Sequence, residues 1–421
     1  MINILNKFFF KQNNKNSIFF GFKKLLKETE IKKIFYAIKN ESENNEIRYV
    51  GGCVRKIINN ETVDDIDLAV NLPPLIVSNI LKKNSIKFYD TGLDHGTITA
   101  IIKKNKFEIT SLRKDIETDG RHAKIKFTNS WADDASRRDF SINAIYADLN
   151  GNLYDPYNGK IDIKNGEIKF IGNEEQRIKE DYLRILRYVR FFLNYSKKNH
   201  KPKVIKVIKK NLDGLSKISS ERLLDEFKKL SNSNGFINLT EDKVSLEIIS
   251  LIFPQFKNFH YLKKLDKKKL ENLDFIILIS LLIIDNTDNT DYFLYKFKIS
   301  NHNKKRILFL NNFFTKDINK NTFSKTSLLK ILYLNGRESV LDILNFQIFR
   351  TKKYASKFQD LLESFKVQTP PIMPIKADYL IKNHNIPEGR ELGIKLKKIE
   401  QKWLNDSFRI SDTEVAKIIL G

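Results

Sequence analysis

The chain has 421 residues, with 75 Lys and Arg against 51 Asp and Glu, and a formal net charge of +24. That length exceeds one compact core and predicts two to four domains; the charge favours a polyanionic partner such as nucleic acid, although Lys- and Asn-rich runs such as residues 11–16 also fit compositional drift. A single cysteine, Cys53, excludes an internal disulfide and a multi-cysteine zinc site, and no apolar run reaches the roughly 20 residues that cross a bilayer, so a cytoplasmic protein is expected.

In chain order, the start carries Phe8-Phe9-Phe10 and scattered lysines but lacks the sustained apolar region and small-residue cleavage site of a signal peptide. Phe22, Leu25, Leu26, Ile31, Ile34, Phe35 and Ile38 recur at helical spacing and predict a helix over 22–39. A strand over 47–50 runs into Gly51-Gly52 and a short helix; a second strand over 66–70 ends at Pro73-Pro74. Residues 97–102 and 107–112 flank Lys103-Lys104-Asn105-Lys106 and predict a hairpin. A polar loop is expected over 113–121, a strand over 123–127 and a helix starting near Arg137. Beyond the turn cluster Asp155-Pro156-Tyr157-Asn158-Gly159, helix dominates from about Gly172, with segments at 174–195, 219–232, 244–252, 273–284 and 303–314. Pro370-Pro371 and Pro374 mark a last boundary. The expected class is α+β, a mixed α/β head with a small sheet followed by an all-α remainder.

In Asp64-Asp65-Ile66-Asp67-Leu68 the period of two in a strand turns Asp65 and Asp67 to one face and Ile66 and Leu68 to the core. Neighbouring carboxylates suit Mg²⁺, which takes hard oxygen ligands and is held by one or two carboxylates together with substrate phosphates. Taken alone, an exposed acidic strand explains Asp-x-Asp better. The preceding Tyr49-Val50-Gly51-Gly52-Cys53-Val54-Arg55 shifts that balance. Glycines where a strand meets a helix let backbone N–H groups approach a phosphate, and Arg55 adds a forked cation.

Gly51-Gly52 followed by Asp-x-Asp resembles the nucleotidyltransferase fold shared with DNA polymerase beta. The longer set of motifs is similar to the class II tRNA nucleotidyltransferase and poly(A) polymerase family. Phe107-Glu108-Ile109-Thr110-Ser111-Leu112-Arg113 resembles the family strand with a third acidic residue, which implies Glu108 beside Asp65 and Asp67. Arg137-Arg138-Asp139-Phe140-Ser141-Ile142-Asn143-Ala144 resembles a segment implying nucleotide contacts from Arg138, Asp139 and Asn143. Glu180-Asp181-Tyr182-Leu183-Arg184 resembles the family's Glu-Asp-x-x-Arg signature, in which Asp181 and Arg184 face the incoming base, with Arg187 one turn on. Their spacing of three predicts one shared helix face; a surface salt bridge is the plain alternative. Residues 218–227 resemble a neck-helix motif, with Ser219 or Ser220 as cap and Arg222 spaced to pair with Glu226. Lys56 stands where the family has Asp, which removes a possible partner of Arg55.

The resemblance implies a lead-in over 1–45, a catalytic head over 46–150, a neck with base recognition over 151–235, a helical body over 236–368 and an RNA-binding tail over 369–421. It implies template-independent addition of C, C and A to tRNA from CTP and ATP, with catalysis through Mg²⁺ on Asp65 and Asp67. A poly(A) polymerase, a partial CC- or A-adding enzyme and a catalytically silent RNA-binding protein stay open. The segment from Lys114 to Arg121 lies where the family places the element that switches C to A addition.

Overall fold

The computed structural model describes residues 17–118, 123–264, 273–316, 318–319, 321–351 and 355–420. It divides into two compact units, one up to Phe253 and one from Pro254.

The first unit opens with a helix over 17–29 (α1) and another over Lys32–Glu41 (α2). The single helix expected over 22–39 is broken because Glu30 takes a left-handed φ of 56°. The apolar spacing nevertheless continues across the break, and Phe22, Ile31, Ile34, Phe35 and Ile38 are all buried. Seven strands follow in one sheet: β1 (Ile47–Val50), β2 (Ile66–Val70), β3 (Lys87–Gly92), β4 (Thr97–Ile102), β5 (Asn105–Ser111), β8 (Tyr146–Ala147) and β9 (Leu153–Tyr154). Their order across the sheet is β3-β4-β5-β2-β1-β8-β9. Only β2 and β5 run parallel, in a register that sets Asp67 beside Glu108. The β4–β5 turn is tighter than expected, since Ile102 pairs with Asn105 and Lys103 takes a φ of 55°.

Residues 113–118 are not the expected polar loop. They form β6 (Arg113–Thr118), paired antiparallel with β7 (Ala123–Phe127) in a separate two-stranded ribbon, from Arg113 opposite Phe127 to Thr118 opposite Ala123. No apolar alternation in the sequence marks β6; ladder hydrogen bonds with β7 make it a strand. Residues 119–121 of the expected loop lie outside the described residues. The helix expected from Arg137 comes earlier, as α5 (Trp131–Ser136), because Ser130 caps it by accepting from Asp133 N at 3.2 Å.

Helices then take over as α6 (Gly159–Asn165), α7 (Glu174–Glu180), α8 (Leu183–Tyr195), α9 (Pro202–Lys210), α10 (Ser220–Ser231) and α11 (Lys243–Ile252). The segment expected as one helix over 174–195 is two, with Asp181 in extended backbone (φ −152°, ψ 103°) between them. Ser219, not Ser220, caps α10, accepting from Arg222 N at 3.4 Å. α8 buries Ile185, Leu186, Tyr188, Val189, Phe191 and Phe192, while its Arg187 reaches Asp139 and its Arg190 reaches Glu226 of α10.

The second unit is helical. Phe275–Ile283 is apolar on every face and buried throughout from Ile276, the pattern of a central core helix. Asn289–Lys296, Asn301–Phe314, Lys325–Arg350 and Ala355–Val367 follow, the third kinked at Gly336. Ala377–His384, Arg390–Asn405 and Asp412–Leu420 close on a core that includes Ile375, Leu380, Ile386, Leu392, Ile399 and Val415. No helix among the described residues is long and apolar enough to cross a membrane.

Candidate active site

The strand-to-helix turn after β1 calls for glycine at Gly51. Gly51 takes a φ of 68°, which disfavours any side chain, and a Cβ there would lie 3.5 Å from Arg138 Nη1 and 3.8 Å from the Asn143 carbonyl oxygen. A Cβ on Gly52 would sit 3.9 Å from Asp67 Oδ2 and 4.0 Å from Arg55 Nη2. The turn therefore gathers Asp67, Arg55, Arg138 and Asn143 around one small backbone patch. Gly51 N–H donates to the Ile145 carbonyl at 3.3 Å, which ties the turn to the segment after Asn143.

Asp65 is exposed immediately before β2, and Asp67 lies half-buried within it, with Ile66 and Leu68 buried between and beyond them. Glu108 is exposed on β5 at the position paired with Asp67. Burial pushes the Asp67 carboxyl up to about 6, the Glu108 and Asp65 charges add to the rise, and Arg138 and Arg55 oppose it. A carboxylate in this position is underneutralised by the protein itself. Its donor chemistry, hard oxygens under mutual repulsion, fits a divalent cation. No group of three or more His, Cys, Asp or Glu suited to a metal ion occurs among the described residues. Glu108 is an electrostatic neighbour of Asp67.

Asp134, unnoticed in the sequence, organises the paired arginines. It is 1 % exposed; its Oδ1 accepts from Arg137 Nε at 2.9 Å and Nη2 at 2.6 Å, and its Oδ2 from Arg138 Nη2 at 3.0 Å and Tyr146 Oη at 2.7 Å. Burial alone would raise this carboxyl; the Arg138 and Arg137 charges and their hydrogen bonds hold it well below the usual carboxylate range. The signal available beforehand was its spacing, three and four residues ahead of Arg137 and Arg138.

Asp139 is the next anchor. Its Oδ1 accepts from Phe140 N at 2.9 Å and Asn143 Nδ2 at 2.8 Å, and its Oδ2 from Arg187 Nε at 2.7 Å. Burial opposes ionisation, but the Arg187 charge with these hydrogen bonds brings the carboxyl down to about 2. Asn143 in turn accepts from Arg55 through Oδ1. The Arg55 guanidinium also lies over Phe191 at 4.9 Å and Tyr195 at 5.0 Å, so helix α8 grips the arginine of the glycine turn. Asn143 thus supplies the partner that Lys56 does not; Lys56 pairs instead with Asp64 at 2.6 Å. Glu226, 2 % exposed on α10, accepts from Arg190 at 2.5 Å and lies 3.8 Å from Arg187. Charges alternate from Arg190 through Glu226, Arg187 and Asp139 to Asn143 and Arg55, the arrangement that makes buried ions tolerable.

Asp181 and Arg184 do not share one helix face. Asp181 stands in the break before α8; its Oδ1 accepts from Leu183 N at 3.1 Å and its Oδ2 from Arg222 Nη2 at 2.8 Å. Arg184 is buried within α8 and donates from Nη1 to the Arg177 carbonyl at 2.6 Å and to Glu180 Oε2 at 2.7 Å. The expected pairing of Arg222 with Glu226 along α10 gives way to contacts across helices, with Arg222 reaching Asp181 and Glu226 reaching α8. Arg177, also unforeseen, ties α7 to the head by donating to the backbone carbonyls of Arg137 and Arg138.

Residues 47–169 match the Poly A polymerase head domain. The chain is 32% identical over 388 residues to human CCA tRNA nucleotidyltransferase 1, mitochondrial, covering 90% of this chain and 87% of that protein. It is 27% identical over 385 residues to the CCA-adding enzyme of Lactobacillus johnsonii, covering 89% and 93%. Among solved structures, the Bacillus stearothermophilus CCA-adding enzyme in complex with CTP superposes with a TM-score of 0.70 at 21% identity, covering 92% of this chain and 95% of that one. The Thermotoga maritima CCA-adding enzyme complexed with tRNA superposes with a TM-score of 0.60 at 19% identity, covering 94% and 98%. With a glycine turn packed against Asp67 and a full-length relative above 30% identity, the chain belongs to the CCA tRNA nucleotidyltransferase family.

Proposed function

We propose that this protein adds C, C and A to the 3′ end of tRNA from CTP and ATP, without a nucleic-acid template and with release of pyrophosphate. The observation that carries this reading is the likeness to a named CCA tRNA nucleotidyltransferase across nine-tenths of the chain. The relatives of known structure include one complexed with tRNA and others with CTP or ATP.

In the reaction the ribose 3′-oxygen bonds to the α-phosphorus of the incoming nucleotide, and the bond from that phosphorus to the bridging oxygen of pyrophosphate breaks. Asp65 and Asp67, with Glu108 beside them, would hold a divalent cation, Mg²⁺ in our reading, which would supply charge neutralisation at the phosphates and activation of the hydroxyl. Gly51 and Gly52 keep the turn free of side chains where the triphosphate lies, and Arg55 and Arg138 add fixed positive charge there. Asn143 holds both arginines, accepting from Arg55 at Oδ1 and from Arg138 at its backbone carbonyl, Asp139 holds Asn143 and is steadied by Arg187, and Asp139 and Asn143 face the sugar. Asp181 and Arg184 select the base.

The direct test offers the purified protein three RNAs, tRNA lacking CCA, tRNA ending in CC and an unstructured RNA, with one nucleotide at a time. Addition of C to the first and A to the second is the expected result. Extension of unstructured RNA by ATP alone would place the protein with the poly(A) polymerases, whose head domain it shares. The cytoplasmic location we propose rests on the single free cysteine, Cys53, whereas the human relative is named mitochondrial; cell fractionation decides between them.

A further inference from the structure

We propose that Arg222 is a specificity-determining positioning residue, which aims the Asp181 carboxylate at the incoming base and so sets the preference for C and A over U and G. The inference rests on the reading of Asp181 and Arg184 as the base-facing pair.

Asp181 occupies extended backbone between α7 and α8, so no helical geometry directs its side chain. Two contacts direct it instead. Leu183 N donates to Oδ1 at 3.1 Å, which fixes one oxygen against the start of α8. Arg222 Nη2 donates to Oδ2 at 2.8 Å from a different helix, 41 residues away. A carboxylate offers about four acceptor sites, and these contacts leave roughly two of them, with the carboxyl plane already set. An acceptor held in this way receives the N–H of an exocyclic amino group, which C and A present, and meets the carbonyl oxygen that U and G present with repulsion.

The position of Arg222 is itself fixed. It lies in the first turn of α10, where Ser219 caps the helix by accepting from Arg222 N. Arg184 needs no such help, because it is buried and its guanidinium is committed to the Arg177 carbonyl and Glu180. The two halves of the base-reading pair are therefore held differently, Arg184 by burial and Asp181 by a salt bridge whose side chains are 36% and 26% exposed for Arg222 and Asp181. A bridge that open contributes little to folding. Its consequence falls on where the carboxylate points.

The test compares the full-length parent with Arg222→Ala, Arg222→Lys, Asp181→Ala and the double variant Asp181→Ala/Arg222→Ala. For each, kcat/KM is measured for CTP and UTP on tRNA lacking CCA, and for ATP and GTP on tRNA ending in CC. Arg222→Ala is expected to lower the CTP-to-UTP and ATP-to-GTP ratios by roughly tenfold or more, with Arg222→Lys between it and the parent. In the Asp181→Ala background the Arg222 change should cost no further selectivity. Equal loss for right and wrong nucleotides in Arg222→Ala would reduce Arg222 to a structural role and overturn the proposal. If Arg222→Ala does not fold, as judged by melting, the ratios of Arg222→Lys decide by the same criterion. A parent that adds no nucleotide, or Asp181→Ala with intact selectivity, brings down the base-facing reading itself. Loss of selectivity in Asp181→Ala with none in Arg222→Ala brings down only the inference about Arg222.

Discussion

Asp67 pays for its position, because burial and the Glu108 charge leave its carboxyl at about 6. Stability linked to such a raised group is present below its ordinary value of 3.8 and is lost as pH rises through about 6. Removing the charge therefore relieves the fold while disabling the chemistry. Asp67→Asn should melt no lower than the parent in EDTA at neutral pH, lose the rise in Tm that Mg²⁺ gives the parent, and add nucleotide roughly 100-fold more slowly or worse. A Mg²⁺-dependent rise that survives in Asp67→Asn would remove Asp67 from the cation site. Asp139 has the opposite sign. With its carboxyl at about 2 against an ordinary 3.8, its stabilisation is complete above 3.8 and is lost as pH falls through about 2. Asp139→Asn should cost roughly 2 kcal/mol at neutral pH, a penalty that shrinks in acid; denaturant midpoints at neutral pH and at pH near 3 measure both, and an equal penalty at the two values would contradict the assignment.

At the scale of elements, the β6–β7 ribbon and the break between α7 and α8 are the two features that choose among nucleotides in our reading. The ribbon stands apart from the seven-stranded sheet, joined to it through Leu112 between β5 and β6, whose carbonyl accepts from Thr128 N at 3.0 Å. Deleting residues 115–119, the last of which lies outside the described residues, should leave C addition within a few-fold of the parent and abolish the final A. Sequencing of the extended tRNA ends reads this directly, and normal A addition would count against a switching role. Asp65, Asp67 and the grip of α8 on Arg55 are untouched by that deletion, which is why C addition should persist.

At the scale of the molecule, the net charge of +24 makes phosphate contact the dominant source of RNA affinity in the proposed reading. Affinity for tRNA should fall linearly on a log–log plot against salt, with a slope of roughly −0.7 to −0.9 for each phosphate neutralised. Filter-binding across a salt series measures it, and a flat response would show that the basic composition is compositional drift rather than an RNA surface. Four of the lysines are paired within the fold by exposed ion pairs, Lys198 and Lys201 with Glu167, Lys203 with Glu174, and Lys209 with Glu247.

What the chain settled by itself is local. The alternation of Asp65-Ile66-Asp67-Leu68, the glycine pair before a helix and the apolar spacing of Phe22 to Ile38 each depend on one strand or helix period, and each survives in the fold. Features that depend on a partner far along the chain did not show. β6 is a strand only because β7 lies beside it, and Asn143 meets Arg55 across 88 residues. Asp181 and Arg184 were the sharpest divergence, since three-residue spacing promised one helix face. The tertiary structure instead ends α7 before Asp181 and sets it against Arg222 of α10. The physical reason is that helix and strand periods are carried by adjacent residues, whereas register, helix breaks and buried ion pairs are decided by the sum of weak contacts made only once the chain has closed on itself.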